Sequence, residues 1–468
     1  MKLSVNKYYE FFLLTLFIAV NVLLYLFSIE NAPLSVGADA GQYLRPARSL
    51  VDLGVFSLNP PGWTSEMGDG VMFTIGTPLY SIFLAPFYYL FGNGPLFYIS
   101  LVILQCAILY LTGWISRFIL FFFGGTKKYA FLLHALVIFN PNSLITAHLL
   151  QSETLFTLFL TLSTFYLFKM VSSKPIKNMI LVGVFAGLLA LTRPAGLYMI
   201  YALPLIVFFI FVVKVSFYKE SGNFRIMSKA IIPLLVALTI VSPWYVRNYI
   251  NTGEYFLSTT GGYFFYDNHI QLLQRGDGHI HSDAVKIAHK ELSDVLGDRG
   301  VDLNCAGDRR HWKCHKHVFS AVLHNVMDRS FESHAKALAY SWGVLYLSGG
   351  ASNIRNYLGY SGNQAIVTFQ HETFDGINSI KKLFQNAGFP YTVLLIVTML
   401  FVLVTRLMAL IGIFIAVYKK ENTIYIAILL FELVLFTIMY LYLGQSRFRV
   451  PLEPILMLLA VLSLRYRR

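Results

Sequence analysis

Charge is what this sequence has least of. Only 13% of its 468 residues are Asp, Glu, Lys or Arg, about half the share usual in soluble domains, while 56% are hydrophobic. A soluble globular protein is excluded, and the composition is that of a polytopic membrane protein. Cysteine is scarcer still, three residues in all, too few to staple a chain of this length. One of them, Cys106, lies inside an apolar stretch as a small core residue. Low-complexity tracts and convincing internal repeats are missing, so sequence symmetry gives no support to an inverted-repeat transporter. The net charge of +13 is not gathered into a stripe. Its Lys and Arg residues fall in short clusters beside apolar segments, which fits membrane topology and not nucleic-acid binding.

What the chain does have is apolar runs of spanning length, at 8–29, 95–117, 129–147, 154–170, 178–192, 195–213, 230–246, 390–417, 423–443 and 451–464. The first follows Lys2 and Lys7 but is longer than the core of a signal peptide, and Val36-Gly37-Ala38 lies too far downstream for cleavage. It reads as an uncleaved first span entering from the cytoplasm. A further apolar run at 78–91 would reach only about 21 Å as a helix, short of the ~30 Å hydrocarbon core. It reads as a helix lying along the membrane surface. That parity puts Arg117/Lys127/Lys128, Lys169/Lys174/Lys177, Lys214/Lys219/Arg225/Lys229, Lys419/Lys420 and Arg465/Arg467/Arg468 in the cytoplasm, as the positive-inside rule requires. The fold class is therefore all-α and polytopic, with about ten transmembrane helices and both termini cytoplasmic.

The outer side then receives 30–94, 147–153, the tip at Arg193, 247–389 and 444–450. Within 247–389, residues 266–335 are charged and His-rich, a small extramembrane insertion with helices expected at 282–296 and 313–330. The chain divides into a transmembrane module at 1–250, an outer segment at 251–389 and C-terminal spans at 390–468.

Asp39 opens a stretch whose apolar residues Leu44, Ala47, Leu50, Val51 and Leu53 share one helical face, an amphipathic helix in the interface. An Asp at a helix start caps its own backbone or does chemistry, and both readings stand. Glu153 and His148 flank the turn where the chain leaves and re-enters the membrane, a costly place for a carboxylate. Arg193, Arg247, Arg447 and Arg449 all fall on the side that should be depleted of positive charge. Arg449 reads as snorkelling to lipid headgroups. Together, guanidiniums facing two carboxylates point to an anionic substrate, since the Arg fork matches phosphate oxygens.

GADAGQYL at 37–44, GTPLY at 76–80, SETLF at 152–156, LTRPAG at 191–196, SPWYVRNY at 242–249 and RFRVPLEP at 447–454 resemble the GT-C superfamily of membrane glycosyltransferases. The likeness is greatest to the bacterial branch of protein O-mannosyltransferases and aminoarabinose lipid A transferases. The resemblance implies a catalytic module built from the first loop's two surface helices and the first seven spans. It also implies a polyprenyl-phosphate sugar donor, inversion at the anomeric carbon, and a bacterial plasma membrane location with the active site facing the periplasm. Asp39 resembles the family's general base and Glu153 its second acidic position, while Arg193 and Arg247 match basic positions near the lipid phosphate. Arg447 joins them as a donor-phosphate candidate, and Tyr43, His148, Tyr245, Tyr249 and Glu372 are candidates to line the pocket. Many relatives carry two adjacent acidic residues where this chain has Asp39-Ala40, so a divalent metal stays open as a cofactor, with no metal ligand assigned. Acceptors allowed by the family are protein, lipid A and cell-surface polysaccharide.

In the insertion, Cys305, His311, Cys314, His315 and His317 leave three readings, a disulfide, a metal site or free thiols. The C-x8-C-H-x-H spacing fits no common structural zinc pattern. Arg406 alone stands in mid-span. A polytopic lipid or solute transporter is the rival function, but its charges should gather near the midplane rather than at one interface. A noncatalytic scaffold would leave the outer Asp, Glu and Arg residues without a role.

Overall fold

A computed structural model describes residues 7–31, 39–58, 75–173, 176–218, 231–307, 311–359 and 389–465. Those residues form helices and turns, with no strand among them. In chain order the elements are α1 (Lys7–Asn31), α2 (Ala40–Leu53), α3 (Leu79–Phe91), α4 (Pro95–Phe121), α5 (Lys127–Ile138), α6 (Pro141–Thr146), α7 (Glu153–Ser173), α8 (Ile176–Thr192), α9 (Leu197–Tyr218) and α10 (Ile231–Thr252). There follow α11 (Thr260–Arg275), α12 (His281–Asp298), α13 (Asn304–Gly307), α14 (His315–Met327), α15 (Phe331–Leu347), α16 (Ala351–Tyr357), α17 (Phe389–Lys419), α18 (Thr423–Tyr440) and α19 (Glu453–Arg465).

Among the described residues, six helices are long and apolar enough to cross a bilayer: Lys7–Ser28, Pro95–Phe121, Glu153–Ser172, Ile231–Thr252, Tyr391–Lys419 and Thr423–Tyr440. Their outward faces are greasy, as in α17, where Val397, Leu400, Val404, Leu407, Leu410 and Phe414 stand exposed. Of the other expected spans, 178–192 and 195–213 fall within α8 and α9. The run 129–147 is not one helix. Pro141 drives Asn140 into extended backbone, and the Asn140 side chain then caps α6 by accepting the N–H groups of Asn142 and Ser143, each at 3.1 Å. The last expected span, 451–464, also differs. A 3-10 helix, Ser446–Leu452, leads into the 13-residue α19, which is buried from Glu453 to Ser463 and packs against α17. At ~1.5 Å per residue it is about 20 Å long, a core helix and not a lipid-facing one. Its approach to α17 is close enough that a Cβ on Gly412 would run into the Leu459 carbonyl.

The surface pair expected at the first loop is present. α2 and α3 pack together through Leu44, Ala47, Tyr80 and Leu84, and rest on Phe97 and Leu101 of α4. The helices expected at 282–296 and 313–330 appear as α12 and α14. Together with α11 and α15 they enclose a core of their own, including Leu272, Ala288, Leu292, Leu296, Val318 and Val322, all fully buried. Cys305 and Cys314 are joined in a disulfide that ties α13 to the start of α14, which decides among the three readings of the cluster. Cys106 is a free, buried thiol.

Candidate functional site

The 3-10 segment carries SRFRVPL, and its Arg447 reaches back 408 positions along the chain to the start of α2. Arg447 Nη1 donates to Asp39 Oδ2 at 2.8 Å, with both side chains partly open to solvent. Asp39 does occupy the N-cap position, but its backbone is already in the helical region and its side chain makes no capping bond. The expectation that capping holds this carboxylate in place is corrected: Arg447 holds it.

Glu153, the first residue of α7, forms the neighbouring pair. Its Oε1 lies 2.5 Å from Arg193 Nη1, with side-chain exposures of 2% and 14%. Burial alone would lower the Arg193 pKa, and the Glu153 carboxylate with Tyr43 and Tyr440 together more than reverses this, pushing it up. Arg193 is aimed by the Pro194–Gly196 turn that separates α8 from α9. Next to Glu153 in the chain, Ser152 has its Oγ 3.0 Å from the Tyr43 hydroxyl. Burial raises the Tyr43 pKa, Arg193 pulls the other way, and Glu153 and Asp39 raise it further, so this phenol is within electrostatic reach of both pairs. Tyr440 and Phe448 close the far side as parallel rings 4.5 Å apart, with the Arg447 guanidinium 5.0 Å from the Phe448 centroid and that of Arg193 6.0 Å from it. Five separate parts of the sequence thus converge at one place.

The remaining candidates sit elsewhere. His148 is buried, with Nε2 2.8 Å from Asn21 Oδ1 and Nδ1 2.9 Å from the Tyr357 hydroxyl. Burial lowers its pKa to about 4, so the ring is neutral, donating to Asn21 and accepting from Tyr357, a tie between α1, the 147–152 turn and α16. Arg247 donates to the Phe56 carbonyl at 3.0 Å and to Asn248 Oδ1 at 2.8 Å, and lies 4.6 Å from the Trp244 ring centroid. Tyr245 pairs with Tyr201, and Tyr249 stacks on Tyr255 at 4.2 Å. Glu372 and His371 lie outside the described residues.

Arg449 does not snorkel. It is fully buried, with Nε 2.5 Å from Glu453 Oε1, Nη2 donating to the Ser348 carbonyl at 2.9 Å, and Nη1 to that of Leu345. The same Glu453 carboxylate accepts from Arg406 at 2.7 and 2.8 Å. The mid-span arginine therefore belongs to a buried Arg406–Glu453–Arg449 triad that fastens α17 to α19 and the 3-10 segment. A second intramembrane carboxylate, Glu432, is fully buried and accepts from Thr164 Oγ1 at 2.9 Å. Both were visible as carboxylates in apolar runs, whereas nothing in the sequence singles out Tyr440 or Ser152.

Among the described residues no three of His, Cys, Asp and Glu come together, and Asp39 and Glu153 each hold an arginine.

No family model matches the sequence, and no curated protein resembles it closely enough to match. Solved structures do match. The oligosaccharyltransferase of Archaeoglobus fulgidus, tethered to an acceptor peptide, superposes with a TM-score of 0.51 at 13% identity over 96% of this chain and 49% of its own. Its apo form gives 0.50 at 13% identity over 96% and 50%. ArnT from Cupriavidus metallidurans, bound to undecaprenyl phosphate, covers 96% of this chain and 77% of its own at 14% identity, with a TM-score of 0.38 that is too low to argue from. The chain spans about half the length of the archaeal enzyme and shares the fold of that half.

Proposed function

We propose that this protein is an inverting glycosyltransferase. It moves a sugar from a polyprenyl-phosphate-linked donor to an acceptor hydroxyl of lipid A, polysaccharide or protein, on the periplasmic face of a bacterial plasma membrane. The observation that carries the reading is the pairing of Asp39 with Arg447 at 2.8 Å and of Glu153 with Arg193 at 2.5 Å, the two guanidiniums meeting at the Phe448 ring.

The chemistry asks for one base and a place for a phosphate. The Asp39 carboxylate takes the proton of the acceptor hydroxyl as that oxygen bonds to the anomeric carbon from the face opposite the phosphate. The carbon–oxygen bond to the phosphate breaks, and the electron pair leaves with the phosphate. A phosphate departs without protonation, so no second carboxyl need act as an acid, unlike the carboxylate pair of hydrolytic glycosidases. Arg447 and Arg193 face the charge that grows on the leaving oxygens, and Glu153 orients Arg193 toward it. Arg247 stands at the end of α10 as a further phosphate ligand, and Tyr43 lies within electrostatic reach of both pairs. The stacked Tyr440 and Phe448 offer an apolar floor.

Transfer of radiolabelled sugar from a defined polyprenyl-phosphate donor, in detergent, tests the proposal. Glycoside product is expected. Movement of the carrier lipid across a reconstituted bilayer with no glycoside formed would favour the transporter instead.

A further inference from the structure

The insertion does more than sit beside the site. Where α18 ends, Leu441 takes a φ of +42°, a conformation that a branched residue holds only when its surroundings impose it. Those surroundings come from α11 and α15, which close the core of the insertion and count with it here as one unit. Ser341 Oγ donates to the Leu441 carbonyl at 2.7 Å, and the next N–H, of Tyr442, donates to Asn268 Oδ1 at 2.8 Å. His334 Nδ1 lies 2.6 Å from the Tyr442 hydroxyl. Gly444 passes so near α15 that a Cβ there would run into the Ser341 carbonyl. Further along, Arg449 grips the Leu345 and Ser348 carbonyls at the end of α15, and Asn142 Nδ2 donates to the Ser446 carbonyl at 2.5 Å. Asn268, Ser341 and Arg449 are at most 1% exposed. Arg447 is the guanidinium at the centre of this clamped stretch, and it is the one that meets Asp39.

We infer that the insertion sets the position of Arg447, so that Ser341, Asn268 and Arg449 are positioning residues for it; this rests on Arg447 being a ligand of the donor phosphate. Neither α11 nor α15 supplies a group to the ion pairs. Their contribution passes through the backbone of residues 441–449.

The test is a double-mutant cycle read by titration with undecaprenyl phosphate, which needs no knowledge of the sugar. Ser341→Ala and Arg449→Lys are measured alone and in an Arg447→Ala background. Each single change is expected to weaken binding about tenfold, the size of one well-placed hydrogen bond, and to add nothing once Arg447 is gone. Losses that add in full would overturn the inference, since a merely structural role does not depend on Arg447. A wild-type protein that does not bind the lipid phosphate would instead sink the proposed donor, and the inference with it. Arg449→Lys is the riskier change for folding, and Ser341→Ala, which removes a single oxygen, then carries the cycle. The Cys305–Cys314 disulfide, read by nonreducing mobility, reports that the insertion is folded in each variant.

Discussion

Glu453 is the residue whose loss the structure prices most directly. Its carboxylate and the Arg449 side chain are fully buried, and Arg406 is 7% exposed, so water replaces none of the contacts. Glu453→Gln removes the negative charge and leaves two guanidiniums around a neutral amide. Breaking a buried pair in this way costs about 3–5 kcal/mol, and because the amide oxygen still accepts one hydrogen bond the lower end, about 3 kcal/mol, is expected. Replacing the whole triad together, Arg406→Met with Glu453→Leu and Arg449→Met, leaves no orphaned charge. It should return stability to within about 1 kcal/mol of wild type, since apolar replacements of such clusters are often neutral. Equilibrium unfolding in mixed micelles, followed by helical circular dichroism, measures both. If Glu453→Gln cost less than about 1 kcal/mol, the triad would not be the desolvated cluster that its geometry implies. The triple variant separates stability from position, because it regains the fold while losing the Arg449 grip on α15.

Asp39→Asn should reduce sugar transfer about 10²- to 10⁴-fold with normal expression and folding, and a variant turning over near the wild-type rate removes Asp39 from the chemistry. Arg247→Ala should raise the donor KM about tenfold; an unchanged KM would leave Arg247 only as the anchor of the Phe56 carbonyl. His269 lies among Glu291, Arg329 and Asp277, and burial lowers its pKa to about 4 from an ordinary 6.5. The unfolded chain then binds the proton first, so His269 weakens the fold progressively as pH falls from about 6.5 to 4. His269→Gln should lessen that loss, read as the difference in Tm against wild type across this range, and parallel profiles would show that the ring does not titrate there.

Much of the fold was legible because a bilayer makes apolar length a strong signal. The short helix at 78–91 followed from the apolar run there, and α2 from the spacing of Leu44, Ala47 and Leu50. Boundaries failed where one proline outweighed hydropathy, at Pro141, and where an apolar run was core and not lipid-facing, in α19. Of the site, Asp39, Glu153, Arg193 and Arg447 could be named singly because charge at an apolar boundary is rare. Which carboxylate meets which arginine could not be read, since it depends on contacts between residues hundreds of positions apart. The misreading of Arg449 has the same origin. Its partner Glu453 is four residues away, but the reason for burying both, Arg406, is in another helix.

The pairing of Asp39 with Arg447 also has a consequence for biosynthesis. Asp39 is made 408 residues before Arg447, with α2 to α18 threaded in between. A ribosome stalled anywhere before RFRVPLE leaves a nascent chain whose early helices are already in the membrane and whose carboxylate has no partner. A chain that stops short of Arg447 therefore lacks the proposed pair, however much of the fold it has already built.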